Sequence, residues 1–343
     1  MIPMSLQRQR GLSLVELMVA MALSLLLMLG VIQIFLSSKQ TYSTNNALSR
    51  VQENGRFAMQ FLISDIRNTG YKGQCLGGPT LHLKDSADEL ELFTLDDPIQ
   101  GWEGKGSTDE QHTHLDGKNR LPKTDSLFIK FAAGEQDFQG GSGNKTHTPQ
   151  LGIDKASGIT AGSIILISDA RGCDLFQSAN NANSDNLQKA GKNVKPGNED
   201  EDWSHPYTSE MEILTLQNAF YFIRKHDDRP PSLVRSRLKA ISSNAGYVEE
   251  ELVEGVQDMQ IKYGVTNGEN SQVTEYKTAD EIDSLLKWGN VASVRIELLV
   301  VSSDTNVTQE QQIVRFDEED VAIENRRLAQ VFSTTIGIRN RLP

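Results

Sequence analysis

Gly11-Leu12-Ser13-Leu14-Val15-Glu16-Leu17 stands at the head of an apolar run that continues to Leu36. Between Leu17 and Leu36 no side chain is charged. At about 1.5 Å of rise per residue, a helix of that length crosses a hydrocarbon core of roughly 30 Å. Arg8 and Arg10 are the only charged side chains before Glu16. The positive-inside rule therefore keeps the leader cytoplasmic and exports everything beyond Leu36.

Glu16 is the anomaly in this run. A lone carboxylate there costs on the order of 2.5 to 3.5 kcal/mol on insertion scales and is normally kept only with a partner. Arg8 and Arg10 are the nearest cations in the uncut chain. A cut after Gly11 would create an α-amino group on Leu12, one turn from Glu16 and equally short of a counter-ion. The charges then balance within one chain or between neighbours in an assembly. A secretory signal peptide cut near Ala20-Met21-Ala22 would hold Glu16 inside its apolar core and leave that core running past the cut. A plain signal anchor leaves Glu16 unexplained.

This constellation resembles the cleavage site of type IV prepilins. The resemblance implies that a membrane-embedded prepilin peptidase cuts after Gly11 on the cytoplasmic face and methylates Leu12. It also implies that Glu16 pairs with the N-terminal amine of an adjacent subunit as helices pack. Leu12 departs from the Phe more usual at that position but supplies the same bulk and apolarity. The family's major subunits commonly carry a helix-kinking proline here. This chain has none between Gly11 and Pro79, so a stiffer helix is expected.

Of 343 residues, about 300 remain after the leader and membrane segment, enough for a sizeable core. The net charge of -12 falls to about -14 once Arg8 and Arg10 are removed, which gives no support for nucleic-acid binding through a basic surface. No nucleophile elbow, phosphate loop or dinucleotide fingerprint occurs, so neither an enzyme nor a cofactor is expected. Cys75 and Cys173 both lie beyond the membrane, in an oxidising compartment, and are expected to pair. A metal site would need more close ligands, and a nucleophilic thiol would need an adjacent base.

After Leu36 the segment turns polar, but Leu48, Val51, Gly55, Ala58, Leu62 and Ile66 recur at spacings of three and four, with Phe57 and Phe61 widening the stripe. The pattern predicts one helix from about Leu12 to Asn68, ended by Asn68-Thr69-Gly70-Tyr71. The expected organisation is a leader over 1–11, a transmembrane half-helix over 12–36, an amphipathic half-helix over 37–68 and a periplasmic β-rich domain over 69–343. The fold class is α+β and pilin-like, a long N-terminal helix packed on a mostly antiparallel β domain.

Strands are predicted at Leu90 to Leu95, Ser126 to Phe131, Ser163 to Ser168, Met211 to Arg224, Leu233 to Leu238, Val256 to Val265, Val291 to Val301, Gln312 to Phe316 and Val331 to Ile338. Thr278 and Glu281 form a capping box for a short helix, and Asn267-Gly268 is a turn signal. Ser178 to Pro206, rich in Asn, Asp, Ser, Lys and Gly, reads as a mobile loop, and Gly134 to Gln150 invites the same reading. His112 and His114 read as solvated loop histidines rather than metal ligands, and Glu199 to Asp202 as a solvated charge run.

Further stretches resemble the PilW type of minor pilin: Ile66-Arg67-Asn68-Thr69-Gly70-Tyr71, Cys173 followed by Asp174-Leu175-Phe176-Gln177, Leu252 to Met259 leading into Tyr263-Gly264, and Arg339-Asn340-Arg341. The polar stretches 84–121 and 178–206 lie outside the similarity. The resemblance implies a low-abundance subunit of the inner membrane and then of the fibre, active in adhesion and twitching motility. Its partners would be other minor pilins and the major pilin, met through the N-terminal helix, and an adhesin-like protein at the pilus tip. The J-type pseudopilin of type II secretion shares the helix and β domain and is the nearest alternative. A signal-anchored periplasmic enzyme or binding module is the alternative from another class.

Overall fold

The computed structural model describes residues 13–84, 90–104, 112–134, 138–267 and 272–341. Helix α1 runs unbroken over Leu14–Asn68, 55 residues, and ends where Gly70 takes φ +75°, a conformation a glycine adopts without the Cβ penalty. Its buried face is Ala47, Val51, Gly55, Ala58, Met59, Leu62 and Ile66. Leu48, Phe57 and Phe61, predicted to share that face, are instead 37 to 48 % exposed. At Gly55 the helix lies tight against the sheet: a Cβ there would be 2.2 Å from the Phe332 ring. Small residues thus centre the contact, and the two phenylalanines are rotated to its flank.

The strands fall into two groups in chain order. The first contains β1 (Thr80–Leu81), β2 (Ile99–Trp102), β3 (Ser126–Ala133), β4 (Phe138–Gln139), β5 (Gln150–Gly152), β6 (Ile164–Ser168), β7 (Cys173–Gln177), β8 (Asn186–Gln188), β9 (Glu210–Arg224), β10 (Ser232–Ile241) and β11 (Asn244–Glu254). All but β5 and β8, which pair with each other, form a nine-stranded sheet centred on β9, antiparallel except for the short β1–β7 pairing. The second contains β12 (Val256–Thr266), β13 (Val273–Lys277), helix α2 (Ala279–Leu285), β14 (Val291–Val301), β15 (Ile313–Phe316), β16 (Glu319–Ala322) and β17 (Ala329–Gly337). It forms a four-stranded antiparallel sheet ordered β13-β12-β14-β17, with β15 and β16 as a separate hairpin.

Alternation along β9 makes two cores from one strand. Ala219, Tyr221 and Ile223 join the cluster containing Val51, Ala58, Leu62 and Ile66 of α1, together with Met259, Ile261 and Ile296 of the second sheet. Phe220 and Phe222 point into a cluster on the other face, with Phe93, Phe128, Leu166 and Leu175. The chain passes between the sheets at Gly255, φ +87°, where a Cβ would meet the Val301 carbonyl at 2.7 Å.

Three expectations are corrected. Leu90 to Leu95 is not a strand but contains a 3₁₀ turn over Leu90–Phe93. Adjacent Leu92 and Phe93 are both buried in one cluster, which strand alternation does not allow on a single face. Ser178 to Pro206 is not a free loop. Trp203 is 1 % exposed and packs with Phe176, Leu187 and Tyr207. The Asn198 side chain pairs with the backbone N–H and C=O of Gln177, both at 2.8 Å. Gly134 to Gln150 is likewise held where described, through β4 on β9 and the Asn144 amide on Gly152 and Tyr207 carbonyls.

Strand β11 was missed because its run Glu249-Glu250-Glu251 reads as solvated. Across the ladder Glu250 meets Arg235, Arg237 and Lys239 of β10, at 2.7 to 3.0 Å. The Thr278–Glu281 capping box forms as predicted. The Asn267-Gly268 turn extends outside the described residues.

Candidate functional site

Ser13 is the N-cap of α1, and Glu16 completes a capping box. The Ser13 N–H donates to Glu16 Oε2 at 2.9 Å, and the Glu16 N–H donates to Ser13 Oγ at 3.2 Å. The carboxylate that looks unpartnered in sequence thus has a donor in its own chain, and its charge sits at the positive end of the helix dipole. The Ser-x-x-Glu spacing was legible in the sequence, so Ser13 could have been found from it. Gly11 and Leu12, the expected cleavage and methylation positions, lie outside the described residues.

From Leu14 to Lys39 every residue of α1 is exposed, and it is the single helix among the described residues long and apolar enough to cross a membrane. About 26 helical residues project roughly 39 Å from the domain. Leu25, Leu26, Leu27, Met28 and Leu29 each expose more than half their surface. A patch of this size on a folded protein marks a membrane or protein contact.

The arm is rooted by polar contacts along the rest of α1. The Thr44 hydroxyl donates to the Val307 carbonyl at 3.2 Å, and the Asn54 amide to Glu254 O at 2.9 Å. Asp65 accepts from the Tyr221 hydroxyl and from Arg235, at 2.5 and 3.2 Å. Burial, followed by the Asp65 charge, pushes the Tyr221 phenol above its ordinary range, so it stays a donor at neutral pH. Asn340 reaches back to the Thr69 carbonyl at 3.4 Å, tying the closing Arg339–Arg341 turn to the helix exit.

Cys75 and Cys173 form a disulfide with 5.6 Å between Cα atoms, joining the segment after the helix to the first residue of β7. The other candidates are structural. His112 and His114 are not solvated: His114 stacks on Phe220 at 4.7 Å and meets Ser236 Oγ at 2.9 Å, while the His112 ring accepts the His114 N–H. Asp200 of the acidic run is 2.9 Å from His82 and 3.4 Å from Lys189, both buried, so this run clamps the segment that carries it. Among the described residues no cluster of three His, Cys, Asp or Glu is placed to hold a metal ion.

An uncovered apolar arm, a capped carboxylate at its start and an antiparallel β domain packed on its second half define a type IV pilin-like protein. Comparison with protein families agrees. The Prokaryotic N-terminal methylation motif matches residues 6–32, and Type IV Pilus-assembly protein W matches residues 220–340. Over these two segments the chain is similar to minor pilins of the PilW type, and its exposed apolar helix leading into a β domain fits an inner-membrane anchor with the domain in the periplasm. The second match spans the end of β9, β10, β11 and the whole four-stranded sheet, so it covers much of the surface that receives α1, while Ile99, Leu127 and Ile129 of the same cluster lie outside it. No curated protein and no solved structure matches the chain.

Proposed function

We propose that this minor pilin joins other minor pilins in a complex that initiates type IV pilus assembly and stays at the fibre tip, against a large adhesin-like partner. The observation that carries the reading is the fully exposed arm from Leu14 to Lys39, rooted in the domain and led by the Ser13–Glu16 box. In the bilayer the arm is solvated by lipid; in the complex it is covered by the arms of neighbouring subunits. Prepilin peptidase cleaves after Gly11 and methylates Leu12, and the amine of one subunit takes the place of the Ser13 N–H as the Glu16 partner of the next. An unpaired charge in that setting penalises a misregistered neighbour.

Two variants test it. Gly11→Val leaves the precursor uncut in the membrane, seen as intact mass that retains the leader; normal processing would remove the site assignment. Glu16→Ala inserts and is processed, but its recovery with partner pilins falls about tenfold, the effect of losing about 1.4 kcal/mol of charge-assisted pairing. Wild-type recovery would show that Glu16 has no assembly role.

A further inference from the structure

Strand β17 ends the four-stranded sheet, and among the described residues no strand pairs with its outer side. The Ser302 N–H donates to Leu328 O at 2.7 Å and the Ile338 N–H to Ala292 O at 2.8 Å, so even-numbered backbone groups face β14. The odd-numbered ones, at Ala329, Val331, Ser333 and Thr335, face outward. At Ala329 the Gln312 side chain acts as a substitute strand, accepting the N–H and donating to the C=O, both at 2.9 Å. Beyond it, Ser333 and Thr335 are exposed.

Long open edges are usually protected by charge, proline, bulges or shortness. The longer edges and β1 follow that pattern. β13 carries Glu275 and Lys277 and a register shift against β12; β11 carries Glu249, Glu250 and Glu251 and a shift against β10; β1 has two residues. β17, Ala-Gln-Val-Phe-Ser-Thr-Thr-Ile-Gly, has no charge and no proline, and it pairs with β14 without a shift over nine residues. Beside it runs a groove walled by Gln52, Glu53, Arg56 and Phe57 of α1 and by Gln330 and Phe332. The edge is flat, uncharged and adjacent to the helix whose arm is uncovered.

We propose that the outer edge of β17 accepts an extended segment of a neighbouring, non-identical pilin-class subunit, which adds a fifth strand to the sheet alongside α1. The inference rests on the minor-pilin reading above and deepens it by naming a partner surface. Backbone groups of Val331, Ser333 and Thr335 supply the ladder, and alternate side chains of the incoming strand enter the groove over Arg56 and Phe57. Topology argues against a symmetric pairing with a second copy of this chain. β17 runs in the direction of α1, with Phe332 at Gly55 and Asn340 at Thr69. A two-fold antiparallel β17–β17 pairing would point two arms in opposite directions, although both start in the same membrane. A two-fold parallel pairing would set N–H against N–H.

The test uses the full-length protein in its native membrane, with a photoreactive benzoylphenylalanine at Ser333 and, separately, at Leu25 in the arm. The expected result is adducts from both positions with another subunit bearing a methylated N-terminus, the Ser333 adduct mapping to an extended segment. Thr335→Pro removes only an outward N–H and leaves the β14 ladder whole. It should cut the Ser333 adduct about tenfold, the effect of losing about 1.4 kcal/mol of edge pairing. Leu25 adducts and the thermal midpoint should be unchanged. Thr335→Lys serves the same purpose should the proline disturb folding.

Leu25 adducts without Ser333 adducts, Ser333 adducts only with copies of this chain, or adducts insensitive to both Thr335 variants would overturn the edge proposal and leave the pilin reading standing. Loss of adducts at both positions would overturn the two together.

Discussion

Replacing Cys75 and Cys173 together by alanine is expected to lower the thermal midpoint of the full-length protein by about 10 °C. The residues are 98 positions apart. A cross-link closing a loop of about 100 residues removes roughly 4.7 kcal/mol of denatured-state freedom on the chain-entropy model, and native bridges typically contribute about 2 to 5 kcal/mol. For a domain above about 150 residues, each kcal/mol moves the midpoint by about 2 to 4 °C. The bond also has a local task. Cys75 and Cys173 are both buried in the cluster under β9, where they hold the post-helix segment against β7. Melting curves with and without reductant measure the effect, and reduction should reproduce the double variant. A midpoint unmoved by either treatment would mean that packing alone secures that segment.

Acidification from pH 7.5 to about 4.5 is expected to stabilise the domain, by up to about 3 kcal/mol from Asp125 alone. Asp125 is 5 % exposed, between the two sheets, with its carboxylate accepting the Gly104 and Ile261 N–H groups at 3.0 and 2.8 Å. Burial outweighs those two donors and raises its pKa to about 7. Burial likewise raises Asp258 to about 6. A carboxyl whose folded pKa lies above its unfolded value binds more protons folded than unfolded. The penalty is therefore absent below the unfolded value near 4, grows as pH rises, and is complete above about 7.

The trend reverses at lower pH. Burial alone would raise Glu250, but hydrogen bonds from Arg235 and Lys239 and the Arg237 charge hold it at about 2. Asp174 behaves the same way, lowered by His82 and Ser204 against its own burial. These carboxylates lose their pairing as pH falls below the ordinary carboxylate range. Denaturant midpoints across pH should pass through a maximum between about 4 and 5, and Asp125→Asn should flatten the limb between pH 5 and 7.5. A wild-type profile flat across that limb would contradict the assigned burial cost.

Local chemistry explains which parts of the fold were legible. The apolar run, Glu16 and the stripe from Val51 to Ile66 are periodic features of one segment, so the helix is readable to within two residues. Val291 to Val301 is recovered to the residue because Val294, Ile296 and Leu298 alternate with Arg295 and Glu297 and the strand then closes on the apolar run Leu298 to Val301. The Thr278 capping box needs only two side chains three positions apart. Other elements depend on partners far away in the chain. β11 looks like an acidic loop until Arg235, Arg237 and Lys239 stand across from it. Ser178 to Pro206 looks mobile because its few apolar residues are isolated, and they become a core only when Ile165, Ile167 and Phe176 are set beneath them.

By itself the sequence determined the protein class, the membrane arm and the pairing of its two cysteines, because each follows from charge, hydropathy and compartment within short stretches. Tertiary structure decided how far the buried face of α1 extends, since Gly55 admits the Phe332 ring and Phe57 is left at the flank. It also decided that β17 is left as an uncharged open edge. Hydrogen-bond direction and strand order arise only when distant segments are brought together, and no window of sequence contains both partners.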